Sequence, residues 1–144
     1  MKALTICQPY AELIARGTKR VENREWPTRY RGVFYIHAGK SREWMNDDGF
    51  VELDYDILLS EMQFGAVIAI AELVDCLPYD TIMDGLYGSK YPWLRKHEHT
   101  NGPWCWIIGS VKRVVPVPWK GALGLWECAA VTESPTPTSS EQQK

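Results

Sequence analysis

The side chains in this sequence best suited to chemistry form a compact polar block after a glycine. Gly17 is followed at fixed spacing by Lys19, Glu22 and Arg24, with Arg20 among them. A lysine can hold a phosphate or, where burial and neighbouring cations favour its neutral form, act as a base. An arginine offers a planar fork to a phosphate or a base edge. The block therefore predicts a polar ligand site, although a structural ion pair explains Glu22 and Arg24 equally well.

A further carboxylate stands apart from this block. Glu72 lies inside the apolar run 65–76, which is typical of a buried strand. A charged group in such a run must face polar partners or a cavity. We therefore expect Glu72 to line one cleft together with Lys19, Glu22 and Arg24. The alternative is a structural ion pair between Glu72 and a basic side chain at the edge of the core.

Aromatic and histidine side chains add further candidates for nucleotide contact. Tyr10 and Trp26 flank the block, and bases stack on such rings with about 1–3 kcal/mol each. Most of the seven Trp and seven Tyr must nevertheless fill the core. His37 and Lys40 close an apolar strand and are kept as candidate contacts, although a buried histidine with satisfied hydrogen bonds is the commoner case.

No metal or cofactor is expected. His97 and His99 alternate in a polar loop, but no third ligand is spaced nearby. The four cysteines are far apart and form no Cys-x-x-Cys pair, so neither a zinc site nor a disulfide is favoured. No motif of a serine hydrolase, P-loop or dinucleotide-binding enzyme occurs.

The elements that must position these residues are short. Segment 8–17 predicts a helix with Tyr10, Leu13 and Ile14 on its buried face, closed by Gly17. The remaining pattern predicts strands over 4–6, 32–40, 65–76, 104–115 (bulged at Gly109) and 125–131, a short helix over 80–88, and helical turns within 41–62. The composition of 132–144 is typical of a disordered tail, which leaves one domain over 1–131. Five to six strands with two to three flanking helices predict an α+β fold, a small mixed barrel.

Charge is unevenly distributed along the chain. Residues 1–42 contain nine Lys or Arg and three Glu, whereas residues 43–84 contain eleven acids and no Lys or Arg. The formal charge of −2 argues against a binder of long duplexes. The basic cluster around the block suits a phosphate-bearing ligand, such as a short single strand or a nucleotide, although a solvated surface paired with the acidic half explains it equally well. No apolar run reaches the length of a membrane helix and no signal peptide is evident, so we expect a cytoplasmic protein. The sequence leaves the oligomeric state open, with a monomer as the default expectation.

Together these segments resemble the ASCH family, whose fold is PUA-like. The family's Gly-x-Lys-x-x-Glu-x-Arg block is complete here at residues 17–24, after a Gln-Pro-Tyr-Ala helix and before an Arg-Gly-x-x-x-Ile-His-Ala strand. Segments 65–76, 102–106 and 121–126 are similar to the family's central strand and closing elements. The resemblance covers roughly residues 1–130 and implies a PUA-like barrel.

The resemblance implies RNA or a nucleotide as ligand and leaves several functions open. One bacterial branch of the family hydrolyses the amide of N4-acetylcytidine with a Lys, a Thr three residues later and a Glu in the central strand. Lys19 and Glu72 match two of these positions, but Glu22 stands where the hydroxyl belongs. Another member is a metal-assisted ribonuclease, and longer eukaryotic members are coactivator modules. A binding domain, a hydrolase and a protein-interaction domain with an acidic docking surface in 43–84 therefore remain alternatives.

Overall fold

The structure is a computed structural model that describes residues 1–43 and 57–130. In this part of the chain, six strands and two short helices follow one another with two 3₁₀ turns, Leu59–Glu61 and Leu94–Lys96. The elements are β1 (Lys2–Ile6), α1 (Tyr10–Ala15), β2 (Val21–Arg24), β3 (Gly32–Ala38), β4 (Ala66–Pro78), α2 (Tyr79–Met83), β5 (Trp104–Pro118) and β6 (Leu125–Glu127).

The described strands form one mixed sheet in the order β2-β5-β4-β3-β1-β6. Only β1 and β3 run parallel among them, with Thr5 opposite His37, and the other neighbours are antiparallel. The long strands β4 and β5 shift register between the pairs Ala71–Val111 and Leu73–Ile108, so the bulge predicted at Gly109 is confirmed. The sheet curls into a half-barrel, which confirms the predicted small α+β barrel.

Helix α1 is short because its flanking residues end it early. The fully buried Gln8 accepts a hydrogen bond from the Glu12 amide at 2.8 Å and donates to the Gln63 carbonyl at 2.8 Å. Gly17 closes the helix at φ +82°, a left-handed conformation that glycine adopts without strain. The chain then reverses, with the amides of Thr18 and Lys19 both donating to the Leu13 carbonyl.

The main core lies between α1 and the concave face of the sheet. Its largest members are Phe34 and Trp106, both fully buried, and they pack with apolar residues of β1, α1, β3, β4 and β5. Glu12 is also buried, at the side of this core, where it accepts hydrogen bonds from Arg16 and Arg113. This cluster fastens α1 to β5 and was not anticipated from the sequence.

Most of the predicted elements are present, with shifted ends. The strand expected over 125–131 is only Leu125–Glu127, and the helix expected over 80–88 is Tyr79–Met83. All four cysteines are free thiols. The expected tail 132–144 and most of the turns expected in 41–62 lie outside the described residues, as does part of the acidic stretch 43–84. No helix in residues 1–43 and 57–130 is long and apolar enough to cross a membrane.

Candidate functional site

A pocket of about 790 Å³ opens where β1, β2 and the start of α1 converge. Segments from four parts of the chain form its wall: residues 5–10 with Lys19, residues 22–26 of β2 and its exit, residues 39–41 after β3, and the loop 98–102 before β5. The volume is within the range of small-molecule sites. Of the residues named from the sequence, it is lined by Tyr10, Lys19, Glu22, Arg24, Trp26 and Lys40.

Lys19 forms the floor of this pocket. Because Gly17 reverses the chain, the Lys19 side chain turns inward and is only 4% exposed. Its ammonium donates to the Val21 carbonyl and lies 3.1 Å from Glu22 Oε1. The same nitrogen stands 5.8 Å from the centre of the Tyr10 ring, within cation–π range. Lys19 is thus a buried cation whose charge is balanced by a neighbouring carboxylate.

Glu22 links Lys19 to Arg24 across the same face of β2. Arg24 donates from Nε to Glu22 Oε2 at 2.9 Å, and its Nη2 lies 2.8 Å from the same oxygen. Nη2 also donates to the Thr5 carbonyl at 3.0 Å, which ties β2 to the end of β1. The three side chains therefore form one continuous chain of charged hydrogen bonds, and charge-assisted bonds of this kind fix geometry strongly.

The charges that line the pocket balance. Its cations are Lys19, Arg24 and Lys40, and its carboxylates are Glu22, Glu25 and Glu98. Two of the cations are already committed to Glu22. The pocket thus offers both donors and acceptors without a strong excess of either charge.

Aromatic rings stand at two sides of the polar floor. Trp26 is 37% exposed, its ring meets Trp106 edge-on at 4.8 Å, and the Trp106 indole donates to the Trp26 carbonyl. On the other side, the rings of Tyr10 and His99 meet edge-on at 6.5 Å. A planar ligand therefore has ring surfaces to contact beside hydrogen-bonding groups on the floor.

The loop 98–102 is held in place by one amide side chain. Asn23 Nδ2 donates to the His99 carbonyl at 2.8 Å, and Asn23 Oδ1 accepts from the amides of Asn101 and Gly102. This brings His99 to the pocket, where it is 7% exposed. Burial, reinforced by the charge of Lys19, lowers the pKa of His99 below 6.5, so its imidazole is neutral near pH 7.

Asn23 and His99 are site residues that the sequence did not indicate. Asn23 sits between Glu22 and Arg24 but contacts residues 76 to 79 positions away, for which no local pattern exists.

The rings of His97 and His99 lie 5.5 Å apart. Within residues 1–43 and 57–130, no group of three His, Cys, Asp or Glu side chains has an arrangement suited to a metal ion.

Glu72 does not reach the pocket, and its expected position in the cleft is wrong. It is exposed on β4, opposite Val33 of β3. Ala71 and Leu73 on either side face the core, so the pleat of the strand turns Glu72 to the other face. The bulge at Gly109 lies beside it, where an added Cβ would stand 3.1 Å from the carboxylate.

Three other predicted contacts also lie away from the pocket. His37 is buried behind Thr5: Nε2 donates to the Trp119 carbonyl at 2.6 Å, so Nδ1 accepts from the Thr5 hydroxyl at 3.1 Å. Burial lowers the pKa of His37 as well. Gly17 shapes the turn rather than the wall, and Arg20 points outward. Gly17, Arg20 and His37 are absent from the lining of the pocket.

The fold is a small α+β half-barrel domain, and it presents the complete Gly-x-Lys-x-x-Glu-x-Arg block at a polar pocket. The chain belongs to the ASCH domain family, whose model matches residues 4–143.

Similar proteins are longer than this chain. It is 26% identical over 132 residues to human Activating signal cointegrator 1, a similarity that covers 86% of this chain and 22% of that protein. The mouse protein of the same name is 33% identical over 81 residues, covering 51% of this chain and 14% of the relative. This chain thus spans about a fifth or less of these relatives. The crystal structure of ASCH from Zymomonas mobilis superposes with a TM-score of 0.46 at 16% identity, covering 81% of this chain and 71% of that one.

Proposed function

We propose that the pocket binds one unpaired nucleobase, presented by a short RNA or as part of a nucleotide or nucleoside. The observation that carries this proposal is the hydrogen-bonded floor of Lys19, Glu22 and Arg24 beside the rings of Tyr10 and Trp26, in a pocket lined by equal numbers of cations and carboxylates. Family membership is consistent with such a ligand.

The charge balance favours a base over a phosphate in the pocket itself. A phosphate site would carry an excess of cations or of unengaged backbone amides. Here, Lys19 and Arg24 are both paired with Glu22, and Glu25 and Glu98 bring the lining to three carboxylates against three cations. A base edge, by contrast, carries both donors and acceptors and can use Glu22 and Arg24 together.

Calorimetric titration with the four nucleosides, N4-acetylcytidine and short RNAs tests this proposal. Trp26→Ala should weaken binding about tenfold, because stacking on an aromatic ring contributes on the order of 1–3 kcal/mol per base. Trp119→Ala is the matched control, since Trp119 is also 37% exposed but does not line the pocket. Absence of binding, or equal loss in the two variants, would contradict the proposal.

A second candidate function is the hydrolysis of an acylated nucleobase in the same pocket. It is favoured by the buried contact of 3.1 Å between Lys19 and Glu22, which can relay a proton. Water would add to the acyl carbon, the carbon–nitrogen bond would break, and the amine would leave with the relayed proton. Because Glu72 lies elsewhere, Glu22 would have to serve as the acid and base of this reaction.

Chromatography of N4-acetylcytidine incubated with the protein distinguishes binding from hydrolysis. Release of cytidine and acetate that Glu22→Gln abolishes would establish the hydrolase, whereas binding without turnover would leave the binding function. If no nucleoside or RNA bound at all, a protein-interaction role would be favoured, such as the name of the human relative indicates for that protein.

A further inference from the structure

A second basic surface, which we call the ridge, lies beside the pocket. It consists of Arg20, Trp93, Arg95 and Lys96, of which Trp93 is half-buried and the three basic residues are exposed. Arg20 comes from the turn before β2, and the other three come from the 3₁₀ turn before the loop 98–102. The ridge thus joins two segments that are more than 70 residues apart in the sequence.

Arg20 is held in a defined position on this ridge. Its guanidinium carbon lies 3.6 Å from the centre of the Trp93 ring, and its backbone amide donates to His97 Nε2 at 3.0 Å. A guanidinium stacked on an aromatic ring keeps its N–H edge directed outward, so it can accept a phosphate with little further ordering.

The ridge is continuous with the pocket through a series of rings. The Trp93 ring meets the His97 ring edge-on at 5.4 Å, and the His97 ring lies 5.5 Å from the ring of His99. His99 itself lines the pocket. These ring contacts connect the wall of the pocket to the ridge.

The charge of the ridge contrasts with that of the other surfaces around the loop 98–102. Among the described residues, no carboxylate lies within ion-pair distance of Arg20, Arg95 or Lys96. A smaller recess of about 380 Å³, which shares Asn101 and Gly102 with the pocket, has Asp80 as its only charged lining residue. The ridge therefore carries three basic side chains, whereas the recess carries a single acidic one, and phosphates interact more favourably with the former.

We propose that the ridge binds the phosphates of the nucleotides adjoining the base in the pocket, which makes the ligand a single-stranded RNA several nucleotides long. This inference rests on the proposed function of the pocket and adds the length and path of the ligand. The pocket selects the base, and the ridge supplies the salt-dependent part of the affinity.

Fluorescence polarisation with an eight-nucleotide mixed-sequence RNA, at several salt concentrations, tests the ridge, with calorimetry on the preferred nucleoside in parallel. The double variant Arg95→Ser/Lys96→Ser should bind the RNA about tenfold more weakly. The slope of log affinity against log salt should become less negative by about 1.4, because each phosphate contact on a single strand contributes about −0.7 to it. Nucleoside affinity should not change. Lys112→Ser/Lys120→Ser is the matched control, because it removes the same charge from exposed positions outside the pocket and the ridge.

The outcomes separate the ridge from the pocket. Equal RNA affinity in the two double variants, or RNA binding no tighter than nucleoside binding, would overturn the ridge and leave the pocket standing. Absence of binding by both RNA and nucleoside would overturn the proposed function and the ridge together. A loss confined to RNA in the Arg95/Lys96 variant supports the inference, and a loss shared with the nucleoside contradicts it.

Discussion

Lys19 and Arg20 are consecutive basic residues, one in the floor of the pocket and the other on the ridge proposed to adjoin it. Lys19 is buried, donates to the Val21 carbonyl and is balanced by Glu22. Arg20 is exposed, lies on the Trp93 ring and has no carboxylate within ion-pair distance in the described part of the chain. Adjacent cations thus contribute to different properties: one to the shape of the pocket floor, the other to the field outside it.

The difference arises from the turn that introduces β2. Gly17 in its left-handed conformation reverses the chain, and the extended backbone that follows places successive side chains on opposite faces. Lys19 consequently enters the pocket while Arg20 reaches the loop that carries Trp93. The composition of the charged block does not show which of the two residues is buried.

The largest expected effect is the loss of folding stability when the buried Lys19 is replaced. Lys19→Met removes the donor to the Val21 carbonyl and leaves Glu22 buried with Arg24 as its remaining cation, so the free energy of unfolding should fall by about 3–5 kcal/mol. Arg20→Met should lower it by less than about 1 kcal/mol, the scale of an exposed cation–π contact. Urea denaturation of the two variants measures both values. Similar losses would contradict the different roles of the buried Lys19 and the exposed Arg20.

The same Glu→Gln substitution should have different effects on stability at Glu22, in the floor of the pocket, and at the exposed Glu98. Glu22→Gln leaves the two cations bound to a neutral amide and should lower the free energy of unfolding by about 1–3 kcal/mol. It also makes the pocket cationic, so the affinity for a nucleoside monophosphate should rise relative to the nucleoside. Glu98→Gln makes the same charge change at an exposed position and should leave stability within about 0.5 kcal/mol. Calorimetry and urea denaturation check this pair of variants.

Acidification should destabilise the protein through its histidines. The pKa values of His37, His97 and His99 are all lowered, in each case mainly by burial, so the unfolded chain binds more protons than the native state once the pH falls below 6.5. The stability they contribute is complete above that pH and is lost as the pH falls towards their native pKa values. The free energies of unfolding measured by urea denaturation at pH 7.5 and 5.5 should differ by about 1 kcal/mol or more. A flat profile would contradict this sign.

The smallest effect concerns the geometry of the exposed cation. Arg20→Lys keeps the charge but loses the planar fork and its stacking on Trp93, so affinity for the eight-nucleotide RNA should fall about two- to fivefold. The salt slope should be nearly unchanged, because the number of cations is the same. Fluorescence polarisation measures both quantities, and nucleoside affinity serves as the internal control. A wild-type affinity in this variant would show that only the charge of Arg20 matters.

The elements that carry their own periodicity were predictable from the sequence. Helix α1, the apolar strands β3, β4 and β5, and the bulge at Gly109 each have a local signal in composition or spacing. The block at 17–24 also has a local spacing, which is why Lys19, Glu22 and Arg24 could be named before the fold was known.

Contacts between distant segments had no such signal. Asn23 and His99 meet only because β2 pairs with the start of β5, and Trp93 meets Arg20 for the same reason. The expected position of Glu72 is wrong because an apolar run predicts burial of both faces of a strand, whereas one face of β4 at this point is open to solvent. Which face of a strand is covered depends on the curl of the whole sheet, which local patterns do not encode.

The dependence of the loop 98–102 on Asn23 has a consequence for the chemical ageing of the protein. Deamidation would replace the Asn23 side-chain amide, which donates to the His99 carbonyl, with a carboxylate oxygen that cannot donate. Two oxygens would then face one another at hydrogen-bond distance, and the loop would lose its attachment on that side. Asn101 and Gly102 would still donate to the other oxygen at position 23, so the pocket wall would loosen at His99 while the barrel stayed intact.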